Sequence, residues 1–148
     1  MNKNFLPISI DISNEKILII GGGHDALKKI RILQRFDANV EVLARKVCEE
    51  IKNSGVKCLE AEYDKQFLKG YLMVYSCANN DELDRQIVKD AKEAGVLVNI
   101  HDKPALCQIV SPAIYRHGKI TVAVGSNGED VYESIRIRDQ IKEKINFN

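Results

Sequence analysis

The chain has 148 residues, 45% of them hydrophobic and 29% charged, with a formal net charge of +1. A chain of this size and composition buries a substantial core as one domain with at most a short appendage, and its charge balance gives no support to general nucleic-acid binding. No apolar run reaches the length of a membrane span and the N-terminus carries no signal-peptide pattern, so a cytoplasmic protein without membrane attachment is expected. Cys48, Cys58, Cys77 and Cys107 are widely spaced with no CxxC pair, which predicts reduced thiols rather than a disulfide framework.

In chain order, residues 7–12 read as a short extended lead-in and residues 16–20 as an apolar strand. Three glycines follow, Gly21, Gly22 and Gly23, and then an amphipathic helix over residues 25–36 with Ala26, Leu27, Ile30, Leu33 and Phe36 near helical spacing. A second strand is predicted over 39–43, a short helix over 45–53 and a third strand over 56–59. A fourth strand over 71–77, a charged helix over 81–94 ended by Gly95, and a fifth strand over 96–100 complete an alternating pattern. Such alternation predicts an α/β, Rossmann-like parallel sheet. After Ile100 the pattern changes to a loop, two strands over 109–115 and 119–125 about His117-Gly118, and a closing helix over 129–145. Two domains are therefore expected: residues 1–108 as the dinucleotide-binding part, and 109–148 as a strand hairpin and helix. Hairpin edges of that kind can pair with a second copy, so the appendage is expected to form a homodimer.

Strand, glycine turn and helix start occur in the order that a dinucleotide-binding turn requires. Gly21 can take the unusual backbone angles of the turn, Gly23 lets a pyrophosphate approach the main chain, and Ala26 permits close helix–strand packing. The helix start then supplies free N–H groups and a favourable dipole. His24 and Asp25 stand in the same turn, and Asp25 reads equally as a helix cap and as an awkward neighbour for pyrophosphate. Glu41 lies about 20 residues beyond the turn, where a ribose-binding acid is sought, but it precedes the end of its strand. Arg45 and Lys46, after the second strand, read either as adenosine or 2′-phosphate contacts or as a solvated basic helix start. Asp102, just beyond the fifth strand, reads as a turn former or as a proton-handling carboxylate raised in pKa by burial. The spacing of His101, Cys107 and His117 matches no compact zinc motif, so no metal site is expected.

The whole chain resembles the precorrin-2 dehydrogenase family, including the N-terminal part of siroheme synthases. The resemblance rests on Phe5-Leu6-Pro7-Ile8, the triplet Gly21-Gly22-Gly23 with Lys28-Lys29, and Val98-Asn99-Ile100-His101-Asp102-Lys103-Pro104-Ala105-Leu106-Cys107. Ser111-Pro112-Ala113-Ile114, His117-Gly118 and Ile120-Thr121-Val122-Ala123-Val124 extend it. It implies NAD-dependent oxidation of precorrin-2, a tetrapyrrole, to sirohydrochlorin on the route to siroheme or cobalamin. The family's functional aspartate falls on Asp102. Its cofactor contacts fall on Gly21, Gly22, Gly23, His24 and Asp25, on Arg45 and Lys46, and on Ala78 and Asn79. Lys103, Arg116 and Lys119 are candidates to pair with substrate carboxylates, or are solvated surface charges. The chain departs from the family at Asp25, where an apolar residue is usual, and at Ala78, where threonine is usual. It also lacks the further C-terminal helical region of full-length relatives. The alternatives left open are a non-catalytic tetrapyrrole- or dinucleotide-binding relative and, more weakly, a bifunctional dehydrogenase and ferrochelatase.

Overall fold

The structure, a computed structural model, describes residues 2–147. They divide into two compact units: residues 10–108, and the segment up to Ser9 together with the chain from Ile109 onward. The lead-in, which the sequence groups with the dinucleotide-binding part, thus belongs with the second unit as far as Ser9. Asn127 ties it there, its side-chain oxygen accepting from the Phe5 N–H at 2.8 Å and its amide donating to the Lys3 carbonyl at 2.8 Å.

The first unit is a five-stranded sheet. Its strands are β1 (Lys16–Ile20), β2 (Asn39–Ala44), β3 (Lys57–Glu60), β4 (Met73–Ser76) and β5 (Leu97–Ile100), in the order β3-β2-β1-β4-β5. Every pairing is parallel, with Ile20 opposite Leu43 on one side and Ser76 on the other. Helix α1 (His24–Gln34) joins β1 to β2, α2 (Glu49–Lys52) joins β2 to β3, and α3 (Asp81–Ala94) joins β4 to β5. Because β2 and β4 flank β1 on opposite sides, right-handed crossovers send the chain to opposite faces of the sheet. Covering both faces explains why β1 and β4 are apolar without alternation: Ile17 to Ile20 and Val74 are all buried. Ala26, Leu27 and Ile30 bury the inner face of α1, and Ile87 and Ala91 that of α3. Ile30 is fully buried. Truncating it as Ile30→Ala is expected to remove about 2–5 kcal/mol of stability, read as a lower urea midpoint at unchanged slope.

The helix predicted over 45–53 starts later than its sequence suggests, at Glu49. Residues 45–48 are instead drawn out along the glycine turn, with the Cys48 N–H donating to the Gly22 carbonyl at 2.9 Å and the Val47 N–H to Glu60 Oε2 at 3.2 Å. A 3-10 turn at Lys65–Leu68, invisible in the hydrophobic pattern, packs against α3.

The second unit contains the antiparallel pair β6 (Ala113–His117) and β7 (Ile120–Val124), followed by α4 (Val131–Lys144). Pairing starts at Ala113, directly after Pro112, which has no N–H to offer a ladder. Helix α4 starts two residues later than its pattern predicts. Asp130 is its cap, accepting from the Glu133 N–H at 3.0 Å, and the Asp130 N–H is itself held by Ser126 Oγ at 2.9 Å. Phe147 closes onto the hairpin, stacked on His117 with ring centres 5.2 Å apart.

Candidate dinucleotide site

At the C-terminal ends of β1, β2 and β4 lies a cleft of about 720 Å³. This is the crevice where strand order reverses, the ligand position of open α/β sheets. Gly21, Gly22, Gly23, Arg45, Lys46, Ala78 and Asn79 line it; His24, Asp25 and Asp102 do not.

The three glycines do different work. Gly21 has φ +128, and a Cβ there would lie 2.7 Å from the Cys77 carbonyl oxygen, so it lets β1 turn beside β4. A Cβ on Gly22 would stand 2.0 Å from the Lys46 carbonyl oxygen, so Gly22 admits the chain that leaves β2. Gly23, at the cap position of α1, has φ −106 and ψ −160 and makes no side-chain capping bond; a Cβ there would meet nothing within 4 Å. It leaves the first N–H groups of α1 without a side-chain cap and with no heavy atom within 4 Å of where its own Cβ would stand, the arrangement of a helix start that favours an anion.

On the far wall, Arg45 pairs with Glu62, Nε to Oε1 at 3.0 Å, and both side chains are exposed. Since α2 begins only at Glu49, Arg45 and Lys46 sit in a loop along the cleft rather than at a helix start. Glu41 faces elsewhere, its Oε1 accepting from the Tyr71 hydroxyl at 2.7 Å, and burial together with that bond pushes the Tyr71 phenol up. Glu62 and Tyr63 in the lining escaped the sequence reading because only β2–β3 pairing brings them beside Arg45. Asn80, also in the lining, caps α3, its side-chain oxygen accepting from the Leu83 N–H at 3.0 Å.

A second constellation stands at the ends of β4 and β5. Asn79 and Asp102 both adopt left-handed backbone, with φ of 56 and 58, a conformation that Asn and Asp tolerate better than most residues. The Asn79 amide donates to Asp25 Oδ2 at 3.2 Å. His101 Nε2 lies 3.5 Å from the same oxygen and 3.4 Å from Asp102 Oδ2. The Asp102 side chain is 87% exposed, so the burial expected to favour its protonated form is not supplied by the fold; the tight turn brings it out of the sheet end instead. His101, its side chain 29% exposed, stands between two carboxylates.

The turn carrying Asp102 is firmly built. The His101 N–H donates to the Ser76 carbonyl at 2.9 Å and the Lys103 N–H to the Ile100 carbonyl at 3.1 Å. The Cys107 thiol accepts from the Ile100 N–H at 3.1 Å and reaches the Lys103 carbonyl at 3.3 Å, which makes Cys107 a loop closure rather than a metal ligand. Lys103 does not reach outward for a substrate carboxylate. Its ammonium bonds Asp81 and, at 2.7 Å, Asp84 Oδ2, and these bonds raise its proton affinity while holding the Asp81 carboxyl below its usual range. Asp84 is only 1% exposed, and Ser76 Oγ donates to its other oxygen at 2.8 Å. A buried carboxylate so satisfied anchors the turn to α3. Beneath it, burial pushes the Cys77 thiol up to about 11, with Lys29 opposing, so Cys77 is a packing group rather than a nucleophile. Among the described residues no group of three or more His, Cys, Asp or Glu side chains is arranged to hold a metal ion, and no helix is long and apolar enough to cross a membrane.

A parallel sheet with a glycine turn at its switch point and an open helix start defines a Rossmann-like dinucleotide-binding protein. The chain belongs to the family described as "Putative NAD(P)-binding", whose model matches residues 8–113. Among curated proteins it is similar to the siroheme synthase of Saccharophagus degradans, 32% identical over 146 residues that cover 96% of this chain and 32% of that protein. It is also similar to the siroheme synthase of Buchnera aphidicola from Acyrthosiphon pisum, 36% identical over 129 residues, 84% of this chain and 27% of that protein. The chain thus spans about a third of the length of these relatives. A solved structure titled "SirC, precorrin-2 dehydrogenase" shares the fold, with a TM-score of 0.79 at 19% identity over 96% of this chain and 72% of that one.

Proposed function

We propose that the protein is an NAD-dependent dehydrogenase that oxidises precorrin-2 to sirohydrochlorin. The observation that carries this reading is the open glycine cradle at the switch point with Asp102 presented on a rigid turn at the neighbouring strand end. The similarity to siroheme synthases supports the substrate class. Nicotinamide supplies hydride acceptance when the cofactor is bound. The residues of the chain do the rest. N–H groups of Gly23, His24 and Asp25 at the start of α1 hold the pyrophosphate, Arg45 and Lys46 flank the adenosine end, and Ala78 and Asn79 wall the opposite side. Asp102 orients the macrocycle and accepts the proton released as the hydride leaves.

NAD rather than NADP is the cofactor on this reading. Glu62 neutralises Arg45 at 3.0 Å, and a 2′-phosphate there would meet a carboxylate as well as a guanidinium. The homodimer forms through the second unit, which exposes Tyr132 (83%) and Leu6 (80%) and whose two-stranded sheet leaves an unpaired edge on β6 and on β7. The four cysteines, none of them in a disulfide, suit the reducing cytoplasm.

The decisive experiment is anaerobic: precorrin-2 is mixed with the full chain and NAD or NADP, and the tetrapyrrole spectrum and reduced cofactor are followed together. Stoichiometric reduced cofactor and sirohydrochlorin, faster with NAD, are expected. Tight binding of the dinucleotide without turnover would instead identify a non-catalytic relative.

A further inference from the structure

Beyond Arg45 the wall of the cleft is backed by a buried carboxylate. Asp90, on α3, is 5% exposed and does not itself line the cleft. Both of its oxygens are taken by side chains that do. The Tyr63 hydroxyl donates to Oδ2 at 2.7 Å, and the Gln86 amide donates to Oδ1 at 2.8 Å. A carboxylate buried on the same helix face as Ile87 and Ala91 is costly unless such bonds offset the loss of water. Each bond also fixes an orientation. A carboxylate accepts and does not donate, so the Gln86 amide must turn its nitrogen to Asp90 and its oxygen away. Among the described residues no hydrogen bond is made to that oxygen. Tyr63 is held at its hydroxyl, and burial together with that bond pushes its phenol up, so it stands as a fixed, neutral aromatic surface. It directly follows Glu62, the partner of Arg45, and so belongs to the adenosine end of the cleft.

We propose that Tyr63 and Gln86 select the base of the dinucleotide: adenine lies on the Tyr63 ring and its exocyclic amine donates to Gln86 Oε1, with Asp90 as the positioning residue behind both. The inference rests on the dinucleotide reading above. An aromatic face suits any base, because every base has a π-face, and by itself it selects none. The fixed amide oxygen supplies the selection. Adenine brings an N–H donor to it. Guanine or hypoxanthine would bring a carbonyl oxygen to the same place, setting acceptor against acceptor and leaving both unpaired.

Calorimetric titration of the full chain with NAD and with nicotinamide hypoxanthine dinucleotide, which carries a carbonyl oxygen in place of the amine, reads this selection directly. The wild type is expected to bind NAD about tenfold more tightly, the scale of one hydrogen bond whose acceptor is left unpaired. Gln86→Leu, at an exposed helix position, is expected to bind the two alike. Tyr63→Leu is expected to weaken both by about tenfold at an unchanged ratio, the loss of one stacked base. Asp90→Asn offers the amide a donor as well as an acceptor and frees its orientation, so the ratio should fall, a change that a purely structural role would not produce. Equal wild-type affinities, or a ratio that Gln86→Leu or Asp90→Asn leaves unchanged, overturns the inference and leaves the dinucleotide reading standing. Undiminished affinity in Tyr63→Leu does the same. A wild type that binds neither NAD nor NADP overturns both.

Discussion

Asp102→Ala is expected to lower precorrin-2-dependent NAD reduction by about 10²–10⁴-fold, the range that a positioned proton acceptor contributes. The same substitution should lower the thermal midpoint by no more than a few degrees, the cost of alanine in left-handed backbone, because the side chain is 87% exposed and its partner is the neighbouring His101. The two readouts separate chemistry from architecture. The turn itself is held by backbone bonds from His101 and Lys103, by the Cys107 thiol and by the Lys103–Asp84 contact, none of which uses the Asp102 carboxylate. Removing a methylene carboxyl at φ +58 exposes alanine to a mild left-handed strain, a small term beside the expected loss of rate. Asp102→Asn keeps the shape and removes the base, so it should remain slow while binding the dinucleotide normally. Wild-type turnover in either variant would remove Asp102 from the mechanism.

Gly22→Ala carries the largest expected structural effect. A Cβ at that position would lie 2.0 Å from the Lys46 carbonyl oxygen and 2.9 Å from the Val47 Cα, both backbone atoms that cannot swing aside. The chain after β2 must then move away from the turn, breaking the bond from the Cys48 N–H to the Gly22 carbonyl. A loss of about 1–3 kcal/mol or more is expected from overpacking of this kind, measured by urea unfolding. Dinucleotide affinity should fall with it, since Arg45 and Lys46 ride on the displaced segment. Gly23→Ala is the informative contrast. Its Cβ meets nothing within 4 Å at an ordinary φ, so the fold survives while the new methyl stands in the approach to the N–H groups of α1. Equal stability of Gly22→Ala and Gly23→Ala would refute the distinction between close packing and ligand approach.

Much of the site was legible because it lies on strand ends and turns that local chemistry specifies. The run Lys16–Ile20 followed by three glycines announces strand, turn and helix from composition alone, and Asp81–Ala94 ends at Gly95, whose φ of 71 stops a helix. The least legible stretch was 45–48. Its residues suit a helix, yet the chain bends at 45 and 46 and the Cys48 N–H bonds the Gly22 carbonyl, 26 positions away in sequence, before the helix begins at Glu49. Lys103 was similarly opaque: a lysine beside a candidate catalytic aspartate reads as a ligand for substrate charge until α3 brings Asp84 beneath it.

By itself, the sequence determined the alternation of strands and helices, the glycine turn and the position of Asp102 at a strand end, because periodicity and backbone preference are local properties. Tertiary structure alone decided which side chains meet. Parallel pairing set Glu62 beside Arg45, and the order β1-β4-β5 brought Asp25, Asn79 and His101 to one point from three elements. Contacts between residues 54 and 76 positions apart are set by sheet order, and no local pattern carries that information.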